Sequence, residues 1–158
     1  MTLTTIQRVF AQVHSPTSLT FPETVASLLK LGVTRYHVDY IARTTTTYMP
    51  RPASNSASDS TSPSTATSTD QTPIATEQIA MPAPAVNADT AWDAAGLARA
   101  IRRVQGRETV YAEFARECVD AGVAGYIACL AGKRVLYYGL NGDVHIEWFP
   151  GAEPRGHK

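Results

Sequence analysis

The stretch that most constrains the fold is residues 121–150, which reads as three short strands joined by two tight turns. Apolar and aromatic residues alternate along it, as they do in strands with two distinct faces. Asn141-Gly142 between two such segments is a strong signal for a β-hairpin. The stretch therefore predicts an antiparallel three-stranded unit.

A weaker copy of this unit occurs earlier in the chain. Gly32-Val33 matches Gly122-Val123 and Tyr48 matches Tyr138, at one constant spacing. Each copy is preceded by two amphipathic helix patterns, so the order of elements repeats. The sequence predicts an α+β fold made of a duplicated α-α-β-β-β unit, with helices packed on one face of an antiparallel sheet. The alternative is one continuous meander of strands without pseudo-symmetry.

Local signals place the helices. Thr20-Phe21-Pro22-Glu23 forms a capping box, in which threonine and glutamate satisfy free backbone amides of the first turn. Gly32 suits the left-handed position after a helix. The predicted N-caps are Thr4 or Thr5, Thr20, Asp89 or Thr90, and Thr109. The predicted buried stripe of the second helix is Val25, Leu28, Leu29 and Leu31.

Composition changes sharply after the second strand pattern. Most residues between Ser54 and Asp70 are Ser or Thr, so the segment cannot bury enough apolar surface to fold. We expect one domain over residues 1–158, in which residues 50–73 are a disordered insertion (Pro50–Thr72 at its narrowest). The two repeats are then residues 1–49 with 74–81, and residues 89–150.

The formal net charge is zero, which disfavours a nucleic-acid partner. Two cysteines are too few for a disulfide framework, and neither a signal peptide nor a membrane span is visible. We therefore expect a soluble cytoplasmic protein with free thiols.

Two strand segments carry a histidine beside a carboxylate: His37-Val38-Asp39 and His145-Ile146-Glu147. Residues i and i+2 share one face of a strand, so each carboxylate can orient its imidazole for general acid–base catalysis. The two pairs could approach each other across a shared cleft. The alternatives are a polar outer strand face and, on a weak signal, a metal site. We assign the catalytic role to the four residues, with no metal.

The remaining candidates could line a pocket. Tyr36, Tyr126, Tyr138 and Cys129 are predicted substrate-binding residues, although tyrosines on strands are also typical core aromatics. Cys118 lies on the inner stripe of its helix and is expected to be buried. No Walker, Rossmann or serine-elbow pattern occurs, so we expect no cofactor.

The chain resembles the small bacterial and prophage proteins called phage envelope proteins, which share the domain of unknown function 1398. The resemblance is carried by residues 31–36, Tyr48, residues 109–114 and 121–123, and residues 137–150. These motifs are mostly structural glycines and aromatics, so the resemblance implies a fold and no defined activity.

Departures from that bacterial pattern are confined to a few positions. Ala42-Arg43 replaces an Asp-Gly turn, Cys129 replaces an acidic residue, and His37 and His145 are additional. The Ser/Thr-rich insertion has a eukaryotic, fungal character.

Together these observations predict an enzyme or enzyme-like binder that acts on a small organic molecule. Cyclase, isomerase or hydrolase chemistry without a cofactor, in a biosynthetic pathway, fits the His-carboxylate pairs. The alternative is a non-catalytic interaction protein or a phage-derived structural protein. A homo-oligomer is compatible with both, and neither requires a nucleic acid or a membrane.

Overall fold

The computed structural model describes residues 2–51 and 71–154. Two helices followed by three strands occur twice along these ranges. The elements are α1 (Thr5–Val13), α2 (Phe21–Lys30), β1 (Arg35–Asp39), β2 (Thr44–Pro50), β3 (Ile74–Ala80), α3 (Ala94–Gln105), α4 (Tyr111–Asp120), β4 (Val123–Cys129), β5 (Arg134–Gly139) and β6 (Val144–Trp148).

The six strands form one antiparallel sheet in the order β3-β2-β1-β4-β5-β6. β1 and β4 pair at its centre, with His37 opposite Ile127. This order confirms the α+β class with an antiparallel sheet. A continuous meander is wrong, because β3 lies at an edge and not beside β4. The duplication of one ancestral unit stays a prediction, because a shared order of elements does not establish common origin.

The four helices cover one face of the sheet. On this face, which we call the covered face, the rings of Phe10 in α1 and Phe114 in α4 pack edge-on against Tyr36 and Tyr137. Every second residue of a strand points to this face, and such residues, for example Val38, are buried with these rings. The opposite face carries no helix of the described chain, and we call it the open face.

Two predicted helix starts are confirmed. Thr4 accepts a hydrogen bond from the amide of Gln7, and Thr20 accepts one from Glu23 in a complete capping box. Gly32 follows α2 with a φ of 92°, in the left-handed region that glycine favours. Short-range hydrogen bonding is enough to determine these boundaries.

The predicted N-terminal residues of the other two helices, α3 and α4, are wrong. Asp93, not Asp89 or Thr90, caps α3 and accepts from the amide of Gly96 at 2.9 Å. The Asp93 backbone is extended, and its amide donates to the carbonyl of Ala121. Because of this tertiary contact, α3 begins later in the chain than the sequence indicates.

The start of α4 is displaced by one residue. Val110, not Thr109, occupies the N-cap position, and its amide donates to the Glu113 carboxylate at 3.1 Å. Leu29 of α2 is also misassigned, since it is 47% exposed, whereas Leu28 and Cys118 are buried as predicted.

β2 and β3 pair along their full length, from Thr44 opposite Ala80 to Pro50 opposite Ile74. The strand predicted near residues 74–81 is confirmed. Ordered pairing continues past β2, since the Arg51 amide donates to the Pro73 carbonyl at 2.9 Å. Pro50 and Arg51 of the predicted insertion therefore lie in a hairpin ladder with Ile74 and Pro73, whereas the predicted disorder of residues 52–70 lies outside the described ranges.

Replacing residues 52–70 by Asn-Gly should leave the domain folded, because Arg51 and Pro73 already hold the two ends together. A shorter loop costs less closure entropy, so we expect a free energy of unfolding unchanged or raised by about 1 kcal/mol. Urea unfolding followed by circular dichroism measures this. A deletion over residues 47–75 is the control and should destabilise the protein. A large loss from the short deletion would contradict the prediction.

Candidate functional site

A cavity of about 440 Å³ lies between the helix layer and the covered face of the sheet. Its floor is formed by side chains of β1, β4 and β5, and its walls by helix residues such as Val104 of α3. The segment between α1 and α2 and the chain after β6 complete the wall. The volume is in the range of pockets that take a small organic molecule.

Three tyrosines line the floor of the cavity. Tyr36, Tyr126 and Tyr137 point to the covered face from three adjacent strands and are buried. Ring centroids lie 6.2 Å apart between Tyr36 and Tyr126, and 5.3 Å apart between Tyr126 and Tyr137. Such contacts hold aromatic rings in fixed orientations. The floor is a rigid aromatic surface with polar hydroxyl groups.

A helix tyrosine connects these hydroxyls. The Tyr111 hydroxyl lies 3.2 Å from that of Tyr40 and 3.1 Å from that of Tyr126. A hydroxyl both donates and accepts, so each member of this row is satisfied by its neighbour without an ionised partner. The row, which we call the tyrosine chain, therefore places neutral hydrogen-bonding groups beside an apolar cavity.

Burial keeps these phenols protonated. It raises the pKa of Tyr111 to about 12 and raises the pKa of Tyr36, Tyr126 and Tyr137 above the ordinary value. The charge of Glu147 contributes to the rise in the pKa of Tyr137. The tyrosines can therefore donate hydrogen bonds to a ligand, but they do not act as bases at neutral pH.

His14, at the end of α1, is a wall residue that the sequence analysis missed. Its ring meets Tyr111 edge-on at a centroid distance of 5.1 Å. Burial lowers the pKa of His14, so the imidazole is neutral at pH 7 and can accept a proton. In the sequence, the one hint that His14 lines a cavity is its position directly after the buried apolar residues of α1.

Glu147 also lines the cavity, and His145 lies beside it. The Glu147 carboxylate is 3.0 Å from Nε2 of His145, and the His145 ring lies 6.2 Å from that of Tyr137. The arrangement expected within this His-x-Glu pair is therefore present. Glu147 is the one carboxylate among the cavity-lining residues of the described chain.

The structure divides the eight sequence-predicted site residues between the two faces of the sheet. Strand register places His145 opposite Tyr137 and therefore on the covered face, whereas His37 is opposite Ile127 on the open face. The covered face holds Tyr36, Tyr126, His145 and Glu147, and the open face holds His37, Asp39, Tyr138 and Cys129. The two His-carboxylate pairs thus do not form the shared cleft that the sequence suggested.

On the open face, His37 pairs with Tyr138. Nε2 of His37 lies 2.6 Å from the Tyr138 hydroxyl. The tyrosine side chain reaches this position over Gly125, where an added Cβ would lie 2.4 Å from the hydroxyl. Burial lowers the pKa of His37 and raises that of Tyr138 to about 12, so both groups are neutral at pH 7.

The charge of Asp39 acts on this pair, since it opposes the fall in the pKa of His37 and adds to the rise in that of Tyr138. Asp39 accepts hydrogen bonds from the amides of Ile41 and Ala42 and so stabilises the β1–β2 turn. Cys129 is half-buried and lies between Arg35 and Arg134 in the strand register. Those two arginines stack on Tyr48 and Trp148, respectively.

Within the described ranges, no three His, Cys, Asp or Glu side chains are placed to hold a metal ion. No helix of these ranges is long and apolar enough to cross a membrane.

Comparison with known proteins gives one family and no activity. The family model described as protein of unknown function (DUF1398) matches residues 7–147. Uncharacterized proteins of Mycobacterium bovis and Mycobacterium tuberculosis are each 33% identical to this chain over 66 residues. The matched region covers 42% of this chain and 40% of each relative.

The neutral state of His14 predicts how stability depends on pH. The ring is neutral in the folded protein, whereas in the unfolded chain it binds a proton below about pH 6.5. Stability is therefore retained above that pH and lost as the pH falls below it. Because solvent screens a partly exposed ring, we expect a loss of less than about 1 kcal/mol per pH unit.

Urea unfolding of wild type and His14→Phe between pH 7 and pH 5 measures this effect. The pH slope should be smaller in His14→Phe and smaller again when His37→Phe is added, since burial also lowers the pKa of His37. Equal slopes in wild type and His14→Phe would show that the folded protein does not hold this ring neutral.

Proposed function

The chain belongs to the DUF1398 family of proteins of unknown function, and we propose that it binds a small organic molecule in the cavity over the tyrosine floor. One observation supports this most directly: a cavity of about 440 Å³ has buried, neutral hydroxyl groups along one side. Concave, mostly apolar pockets with a few convergent polar groups are the usual form of ligand sites.

The lining indicates the class of ligand. Aromatic and aliphatic side chains dominate it, so most of the molecule must be apolar. The tyrosine chain offers a hydrogen bond at one side, which favours a ligand with a hydroxyl or carbonyl group there. The negative charge of Glu147 disfavours a ligand anion near β6. An uncharged aromatic or polycyclic molecule with one oxygen function fits these conditions.

Proton transfer on the bound molecule is a second proposal, supported by two wall residues. His14 is neutral and can act as a general base, and Glu147 beside His145 supplies a second acid–base group. The tyrosine hydroxyls could stabilise a developing oxyanion. Cyclase, isomerase or hydrolase chemistry without a cofactor is compatible with this set.

Filling the cavity tests the binding proposal. Val104→Trp places an indole into the cavity from α3 and should weaken the binding of the uncharged dye N-phenyl-1-naphthylamine at least tenfold, measured by its fluorescence. Arg102→Trp adds the same ring on the exposed side of α3 and is the matched control. Equal dye affinity in the two folded variants would contradict the proposal that the cavity binds a ligand.

Removing one hydroxyl tests the role of the tyrosine chain. Tyr111→Phe leaves the hydroxyls of Tyr40 and Tyr126 without their shared partner. We expect binding of 2-naphthol to weaken roughly 3- to 10-fold, which corresponds to about one hydrogen bond, and binding of naphthalene to stay unchanged. Calorimetric titration measures both ligands. An equal loss for both would show that the hydroxyl contributes only to the shape of the cavity.

A further inference from the structure

The open face has the properties of an interface rather than of a solvated surface. We propose that it packs against the open face of a second copy of this chain, forming a two-fold symmetric dimer. This inference is independent of the cavity, which lies on the other side of the sheet. Three observations support it: exposed apolar side chains, opposite charges at the two ends of β1 that complement each other under a two-fold rotation, and the size of the face.

Apolar side chains form a continuous area on three adjacent strands. Ile127 of β4 pairs with Leu136 of β5, and both are half-buried. Leu136 pairs in turn with Ile146 of β6. Ile146 is 46% exposed and Val144 is 56% exposed on the same face. A solvated antiparallel sheet normally carries polar residues at such positions. Contiguous exposed apolar surface of this kind marks an interaction site.

The charges on β1 are arranged for a symmetric partner. Arg35 begins the strand and Asp39 ends it, and both point to the open face. Within residues 2–51 and 71–154 neither of them has an ion-pair partner. Their positions are about 13 Å apart along the strand. This separation allows a second molecule to approach between them without bringing like charges together.

A two-fold axis in the plane of the interface, running across the strands at His37, reverses the strand direction in the partner. Arg35 then faces Asp39 of the partner subunit, and Asp39 faces Arg35 of the partner subunit. The apolar row of Ile127, Leu136 and Ile146 packs on the same row of the other copy. The contact between Arg35 and Asp39 therefore occurs twice, as an isologous interface requires, and the residues on the axis pack on their own copies. Sheets pack face to face about 10 Å apart in this manner.

The area is also sufficient. Six strands of five to seven residues give a face on the order of 30 by 20 Å, a flat footprint of about 600 Å² before side-chain relief is included. Standard stable interfaces bury roughly 800 Å² of accessible surface per partner. With side-chain relief included, the whole open face reaches this size, so a stable dimer must cover all six strands.

Sedimentation equilibrium and light scattering of the full chain test the proposal. Wild type should have twice the chain mass in the micromolar range. Ile146→Asp places a charge in the apolar row and should weaken dimerisation at least tenfold. Leu29→Asp is the matched control, because Leu29 has the same exposure on α2, away from the open face, and that variant should remain dimeric.

A charge-exchange experiment tests the orientation of the two copies. Arg35→Glu and Asp39→Lys should each dissociate, because like charges then face one another across the axis. An equimolar mixture of the two variants restores both opposite-charge contacts and should form a heterodimer. Asp39→Asn is the control for the turn, since it removes the charge but keeps an oxygen for the amides of Ile41 and Ala42.

Three results would overturn the proposal. A monomeric wild type would show that the open face does not bind a second copy of the chain. A dimer that Ile146→Asp leaves intact would place the interface elsewhere, at a sheet edge for example. Folded Arg35→Glu and Asp39→Lys variants that do not associate when mixed would exclude the proposed two-fold arrangement.

Discussion

The pairing of β1 with β4 is the interaction on which the rest of the structure depends. It joins two three-stranded halves into one sheet, with His37 opposite Ile127 at the centre. The close approach needs Gly125, because a Cβ there would lie 2.4 Å from the carbonyl oxygen of Val38. Breaking this ladder would separate Tyr36 from Tyr126 and remove the cavity floor. The same pairing places Arg35 at one end of the open face and Asp39 at the other.

Features determined by near neighbours in the chain could be predicted from the sequence. Thr20 and Glu23 satisfy each other's backbone amides within one helical turn, and Gly32 ends that helix by its own conformational freedom. The turn at Asn141-Gly142 likewise follows from a local signal, with Gly142 at a φ of 90°. The α+β class follows because these local signals agree with the hydrophobic periods along the chain.

Features that depend on register between distant strands could not be predicted. Whether His37 and His145 share a face depends on three successive strand pairings, from β1 through β4 and β5 to β6, and a shift of one residue in any of them reverses the answer. His14 was missed for a similar reason. It is a polar residue just beyond a helix end, and only the folded chain buries its ring, which lowers its pKa.

The shape of the cavity supports the binding proposal. Exposed wall residues such as Pro22 and Arg107 show that it opens to solvent, as a ligand site must. A space of about 440 Å³ has the volume of roughly fifteen molecules of liquid water. Two hydrogen bonds link the three hydroxyls of the adjacent tyrosine chain, so one O–H group is left to donate to a ligand. Water molecules in so apolar a space make few hydrogen bonds. An apolar ligand that displaces them makes van der Waals contacts with aromatic rings whose orientation is already fixed.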